Sequence, residues 1–511
     1  MQKFNLTPVK NNILLKGTLI LTATGLLTRL LGFFYRIFLS NTIGAVNLGI
    51  YQLIFPVFGI CFTLYGAGIQ TTISKLTAED ESQNSKTYLK LGCILSFLIA
   101  CTLSLMLYLF AAPIADHFLQ EKRCEIPLKI LSFVFPFCCI SSCINGYYYG
   151  KKKTCVPSIA QLLEQLSRIG LVYLLSLMLG KNETYFSCEI AVWGLVAGEF
   201  VSFVFNVCSL FFEKKEDKKP TKRQKRILRK ILGYSIPLTG TRLLINLLAS
   251  AESILIPLLL RKNGVSQTDA LATLGILNGM AIPFLMFPST IPNSMAVILL
   301  PSVSEAYANK KTEYLGKLCQ KSIGFCLKMG ILTTSGFLLF GYSLGLCFFH
   351  NETAGSYLTI LAWLCPFLYL ATTLSSILNG LGKTSLTFRT SFLCSAVRIL
   401  CLFLLIPKKG IYGYFIGLLV SQLLSVLINY LLLKRFVKFS LFLSKDIIIP
   451  ATAAATGMII TLFLKYILHT RDIMSITGLF FYGSIFLLVS ILMFIVLTGR
   501  NHTNPENSKE Q

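Results

Sequence analysis

Thr18, Thr22, Gly25, Arg29, Gly32, Arg36 and Ser40 form one polar stripe in a stretch otherwise made of Leu, Ile, Ala and Phe. Their steps of three and four residues keep them on a single helical face. The two guanidinium groups lie two turns apart, about 10 Å along the axis, with glycines beside them that leave room for a bulky group. An arginine inside a membrane span costs roughly 2.5 to 3.5 kcal/mol on insertion scales, so it faces a partner or water rather than lipid. Guanidinium forks bind carboxylate and phosphate through paired hydrogen bonds, so the chemistry expected of this face is capture of an anion, a phosphate or diphosphate above all.

Three further helices carry similar faces. Ser158, Gln161, Glu164, Gln165 and Arg168 make one; Ser235, Thr239, Arg242, Asn246, Ser250 and Ser253 make another, with Glu252 next to it; Arg389 and Arg398 lie on the third. Arg29, Arg36, Arg168, Arg242 and Arg398 outnumber the acids Glu164, Glu199 and Glu252, which favours an anionic ligand. Substrate contact is therefore expected from Arg29, Arg36, Arg242, Arg168, Arg398, Asn246 and Gln161. A competing reading is equally physical: Glu164 and Arg168, four residues apart in the favourable order, neutralise each other.

The elements that position these residues must be membrane spans. Of 511 residues, 54% are hydrophobic and only 14% charged, with a mean hydropathy of +0.68, far too apolar for a soluble protein. Fourteen segments can cross about 30 Å of hydrocarbon. They are 13–39, 47–72, 88–112, 127–149, 155–179, 188–212, 229–260, 268–302, 317–349, 356–380, 384–406, 411–433, 447–468 and 475–498, numbered here as spans 1 to 14. The net charge of +25 follows topology rather than a nucleic-acid partner: with a cytoplasmic amino terminus, about 30 Lys and Arg fall on the cytoplasmic side and about 9 outside. The densest basic run, Lys214 to Lys230, then touches anionic headgroups between spans 6 and 7. Both termini are expected inside the cell membrane, and span 1 lacks the small-residue site of a cleaved signal.

Most of the sixteen cysteines sit in apolar spans as small hydrophobes, so neither a disulfide framework nor a metal site is expected. No phosphate-binding glycine loop is present, so any transport draws on the membrane potential, Na⁺ or H⁺ rather than on a cofactor or on nucleotide hydrolysis.

An internal repeat organises the spans. Leu48, Gly49, Ile50 and Pro56 recur as Leu274, Gly275, Ile276 and Pro283; Asn145 and Gly146 as Asn379 and Gly380; Arg168 and Ile169 as Arg398 and Ile399. Matches in one order at nearly one displacement imply two six-span lobes related by a pseudo-twofold axis along the membrane normal, with a cavity between them. The expected fold is thus all-α and integral to the membrane: an N-lobe (1–212), a basic linker (213–228), a C-lobe (229–433), two extra helices (434–498) and a polar tail (499–511).

Thr28 to Arg36, followed by Ile43, Gly44, Leu48 to Leu53, Pro56, Gly66, Gly68, Ile69 and Gln70, resemble the opening of the stage V sporulation and polysaccharide biosynthesis family. That family sits beside the lipid II flippases in the multidrug/oligosaccharidyl-lipid/polysaccharide (MOP) superfamily. The resemblance implies a non-enzymatic flippase that carries an undecaprenyl-diphosphate-linked saccharide outward for peptidoglycan or spore cortex by alternating access. It also implies an arginine-lined cavity, an apolar groove for the lipid tail on spans 13 and 14, and cell-wall synthases as partners. Arg29 matches the first family arginine of span 1 through the adjoining Leu-Leu-Gly-Phe. Arg36 comes seven residues on where the family has six, a rotation of about 100°. The family's arginines on spans 2 and 8 have no counterpart in 47–72 or 268–302, and Arg242 is the expected substitute. Two rival readings are a multidrug or cation antiporter of the same superfamily, which needs buried acids, and a non-transporting scaffold for wall synthesis.

Overall fold

The computed structural model describes residues 13–79, 84–178, 187–213, 224–468 and 475–503. Each is helix or short connection, with no strand among them, and the expected spans fall on helical segments, span 8 being split among Gln267–Leu274, Gly275–Ala281, Ile282–Met286 and Thr290–Ala308. By length and apolarity alone, eleven helices qualify as membrane crossings, or twelve when the bent pair Lys122–Ser132 and Val134–Gly150 is taken as one; that test does not confirm the fourteen expected. Two causes are visible. Spans 1 and 2 run together in the helix Ile13–Phe62, divided only by Gly44 at φ 75°. The helix of span 5, Cys155–Met178, carries the polar face that lowers its hydropathy.

The chain divides into two compact units, Met1–Ile254 and Leu255–Gln511. The division falls inside the span 7 helix Gln224–Lys262 rather than in the expected linker 213–228, most of which lies outside the described residues. The reason is packing. Ile227 and Ile231 of span 7 are buried in one apolar cluster with Leu76 and Tyr88 of spans 2 and 3, so the first part of span 7 folds with the first unit.

Within each unit the same contacts recur. A Cβ on Gly146 of span 4 would come within 2.5 Å of the Gln70 carbonyl oxygen on span 2, and one on Gly380 of span 10 within 2.8 Å of the Leu300 carbonyl oxygen on span 8. Likewise Gly198 of span 6 packs on the Glu164 carbonyl of span 5, and Gly413 of span 12 on Leu405 of span 11. These close approaches need a hydrogen at the α-carbon, the usual device of helix packing in lipid, where apolar side chains supply no net driving force. Span 2 widens into a π-turn at Thr63–Ala67, and span 8 is interrupted just before Thr290, which is Thr63 displaced by about one repeat length. The two extra helices, Ile449–Leu468 and Ile476–Thr503, belong to the second unit, where Tyr482 and Phe486 bury against Phe340 of span 9.

Beyond the end of span 6, Glu213 ties three helix termini. Tyr147 Oη donates to it at 3.0 Å, Lys151 Nζ at 3.1 Å and Lys153 Nζ at 3.4 Å. Burial alone would raise the carboxyl's proton affinity, but the hydrogen bonds from Lys151 and Tyr147 outweigh it and hold the group below the usual carboxylate range. A depressed folded value means stabilisation that is present above the unfolded carboxylate range and lost as pH falls through the folded value. Glu213→Gln is therefore expected to lower the thermal midpoint at neutral pH, with the difference from wild type shrinking in acid; detergent-phase thermal shift from pH 7 downward checks both.

Candidate functional site

Span 1 presents its stripe as spaced. Ser40 is buried at its carboxy-terminal end, Gly25 has open space where a Cβ would stand, and Gly32 faces the Gln165 amide of span 5 at 3.7 Å. The side chains of Thr18 and Thr22 lie outside the described residues. Arg29 is exposed and makes no hydrogen bond or ion pair among the described residues. Arg36 is exposed as well. It lies in the electrostatic field of Arg168, Tyr35 and Tyr51, so the first unit brings Arg36 and Arg168 together.

The excess of positive charge is smaller than the sequence suggests. Arg168 Nη2 donates to Glu164 Oε1 at 2.6 Å, so the i, i+4 ion pair forms and removes Arg168 as a free anion ligand. Glu199 of span 6 lies in the field of both groups. Gln161 is exposed one turn before Gln165 on the same helix.

Arg242 and Asn246 are placed differently from the expectation. Arg242 Nη1 donates to the Ala67 carbonyl oxygen at 2.6 Å and Nη2 to Thr71 Oγ1 at 3.0 Å. Asn246 Nδ2 donates to Thr63 Oγ1, and Ser250 Oγ donates to the Pro56 carbonyl oxygen at 3.3 Å. The serine, asparagine and arginine at steps of four thus form a ladder onto span 2, ending on two main-chain carbonyls and two threonine hydroxyls. These residues hold two helices together in this conformation. Arg242 nonetheless remains exposed and has no acidic partner in those bonds.

Arg398 lies half-buried on span 11 of the second unit. In that unit Lys328 of span 9 pairs with Asp446 at 3.4 Å and lies 5.6 Å from the Phe494 ring centroid. Beside them is an apolar cavity of about 230 Å³ lined by Phe325, Met329, Leu332, Pro450, Ile491 and Phe494, residues of spans 9, 13 and 14.

The sequence reading passed over Tyr35, Tyr51 and the hydroxyls of Thr63 and Thr71. Tyr35 is buried, and its hydroxyl has no hydrogen-bond partner among the described residues. A usable signal was present: Thr63 and Thr71 stand eight residues apart, on one helical face.

Residues 14–307 match the polysaccharide biosynthesis protein family, and 243–404 match the MatE family. Stage V sporulation protein B of Bacillus subtilis (strain 168) is 28% identical over 464 residues, covering 89% of this chain and 90% of that protein. The lipid II flippase MurJ of the same bacterium is 20% identical over 459 residues, 84% of each chain. Among solved structures, a lipid II flippase MurJ in its inward closed conformation superposes with a TM-score of 0.70 at 15% identity, covering 95% of this chain and 99% of that one. An inward-facing multidrug resistance MATE transporter of the MOP superfamily gives 0.65 at 15% identity, covering 80% and 95%. The chain is a multi-span membrane protein with the fold of the MOP-superfamily transporters, and it belongs to the polysaccharide biosynthesis protein family.

Proposed function

We propose that this protein is a flippase that moves a lipid-linked anionic saccharide, carried on undecaprenyl diphosphate, from the inner to the outer leaflet of the cell membrane, with both termini cytoplasmic. The observation that carries the reading is Arg29: a cation mid-helix on the family's most specific segment, exposed and without a counter-ion among the described residues. A diphosphate supplies the missing charge and accepts both arms of a guanidinium fork. Arg36 extends the same face toward Tyr35 and Tyr51. The apolar cavity of spans 9, 13 and 14 suits a length of polyprenyl tail, in keeping with a tail groove over 434–498. No covalent chemistry is required. The halves alternate in access, and a membrane potential positive outside favours outward movement of a net anion by roughly 2.3 kcal/mol per charge per 100 mV.

The likeness to multidrug MATE transporters supports a second reading, cation antiport. Against it, Glu164, one of the few mid-span acids of the first unit, is already neutralised by Arg168.

A leaflet-accessibility assay separates these readings. In cells depleted of this protein, lipid-linked precursor is expected to accumulate out of reach of an external modifying enzyme. Unchanged accessibility, with a drug-efflux or a wall-synthase assembly defect instead, would overturn the flippase in favour of the antiporter or of a scaffold.

A further inference from the structure

The ladder between spans 7 and 2 has a property that its bonds alone do not explain. From residue 236 to 249 no residue of span 7 is buried, although the helix below is anchored by Ile227 and Ile231. Over four turns, attachment to span 2 rests on these polar side chains and on the close apposition of Gly68 to Thr239 and Ser235. Segments with few buried apolar contacts and accessible hydrogen bonds open most readily. The central rung is also the charged one. Both Nη atoms of Arg242 are engaged, and the acceptors are neutral: a carbonyl and a hydroxyl. These bonds carry charge on the donor side only; an ionised phosphate adds the opposite charge on the acceptor side and commonly takes a guanidinium bidentately. An anion reaching this exposed side chain therefore outcompetes Ala67 and Thr71 for the same two donors.

We propose that Arg242 is an anion-operated clasp: a phosphate or diphosphate group takes its guanidinium from the Ala67 carbonyl and Thr71 hydroxyl, and this stretch of span 7 separates from span 2. Release does not strand the acceptor: Thr71 Oγ1 itself donates to the Ala67 carbonyl oxygen at 3.0 Å, so that oxygen keeps a partner when the guanidinium leaves. Asn246 and Ser250 then detach in sequence, since each contributes a single bond. Cargo arrival and helix movement become one event. The proposal deepens the flippase reading by naming how its anion site answers occupancy, but the clasp needs only the anion.

Hydrogen–deuterium exchange on the full chain in lipid nanodiscs, with inorganic pyrophosphate as the probe, tests this. Amides of 63–71 and 236–249 are expected to exchange several-fold faster with pyrophosphate present. Arg242→Gln is expected to show that faster exchange without pyrophosphate and no further response to it. A second arm uses a Gly68→Cys/Thr239→Cys pair, where an ideal Cβ at 68 lies 3.2 Å from Thr239 Cβ, near disulfide reach. After cleavage at a protease site engineered into 214–223, the disulfide holds the fragments together, and pyrophosphate is expected to lower its yield. Exchange unchanged or slowed in the wild type, or an Arg242→Gln variant that responds as the wild type does, overturns the clasp. A positive exchange result beside a negative leaflet assay keeps the clasp and discards the saccharide cargo; the converse discards the clasp alone.

Discussion

Arg29→Ala is expected to abolish delivery of lipid-linked precursor to the outer leaflet while leaving the amount of protein in the membrane unchanged. The second half of that statement follows from the side chain's surroundings. Arg29 is exposed and bonded to nothing among the described residues, so its removal strands no partner. The first half follows from the ligand. Losing a bidentate charge-assisted contact, at about 1.5 to 3 kcal/mol for each hydrogen bond to a charged group, lowers affinity by roughly a hundredfold or more. Arg29→Lys keeps the charge without the planar fork, and partial activity is expected. Arg168→Ala makes the contrast: it leaves Glu164 without its partner at 2.6 Å, and abundance falls with activity. Complementation of a strain that depends on this protein, with immunoblots of membrane fractions, measures both. Normal wall or cortex synthesis in the Arg29→Ala strain would remove the substrate site from span 1.

Gly345→Ala is expected to be the most damaging single-methyl addition in the second unit. A Cβ there would stand 2.1 Å from the backbone nitrogen of Gly355 and 2.3 Å from its Cα. Both obstacles are main chain, so no rotamer change relieves the clash and spans 9 and 10 must move apart. Overpacking of this kind costs typically 1 to 3 kcal/mol, equivalent to roughly 2 to 4 °C in thermal midpoint per kcal/mol for a unit of this size. Gly233→Ala is the matched control: nothing stands within 4 Å of its Cβ position, and stability is expected to hold or rise slightly. Thermal unfolding of the two purified variants decides the matter, and equal midpoints would refute the close approach.

What the sequence made legible was whatever leaves a mark on side-chain type. Apolar runs located the helical segments, and the spacing of Glu164 and Arg168 foretold their ion pair. The same stripe logic singled out Arg29, because no acid on its helix could cancel it. Two features left no such mark. Spans 1 and 2 join through one residue, Gly44, where a connecting loop would have been the ordinary expectation. Arg242 and Asn246 look like cavity-lining groups in sequence, yet their partners are the Ala67 carbonyl and the Thr63 hydroxyl. Acceptors of the first kind belong to the backbone, and every residue type carries one.

The joint at Gly44 bears on how force travels through the first unit. A single residue offers two soft torsions and no slack, and nothing crowds the α-carbon there, so its positive φ is a conformational demand rather than a fit to neighbours. Arg36 stands eight residues before it, about 12 Å along the axis. Pull on that guanidinium and the rod behind it cannot stretch; it swings about the pivot, while the helix that bears the wide turn is free to stay where it is packed.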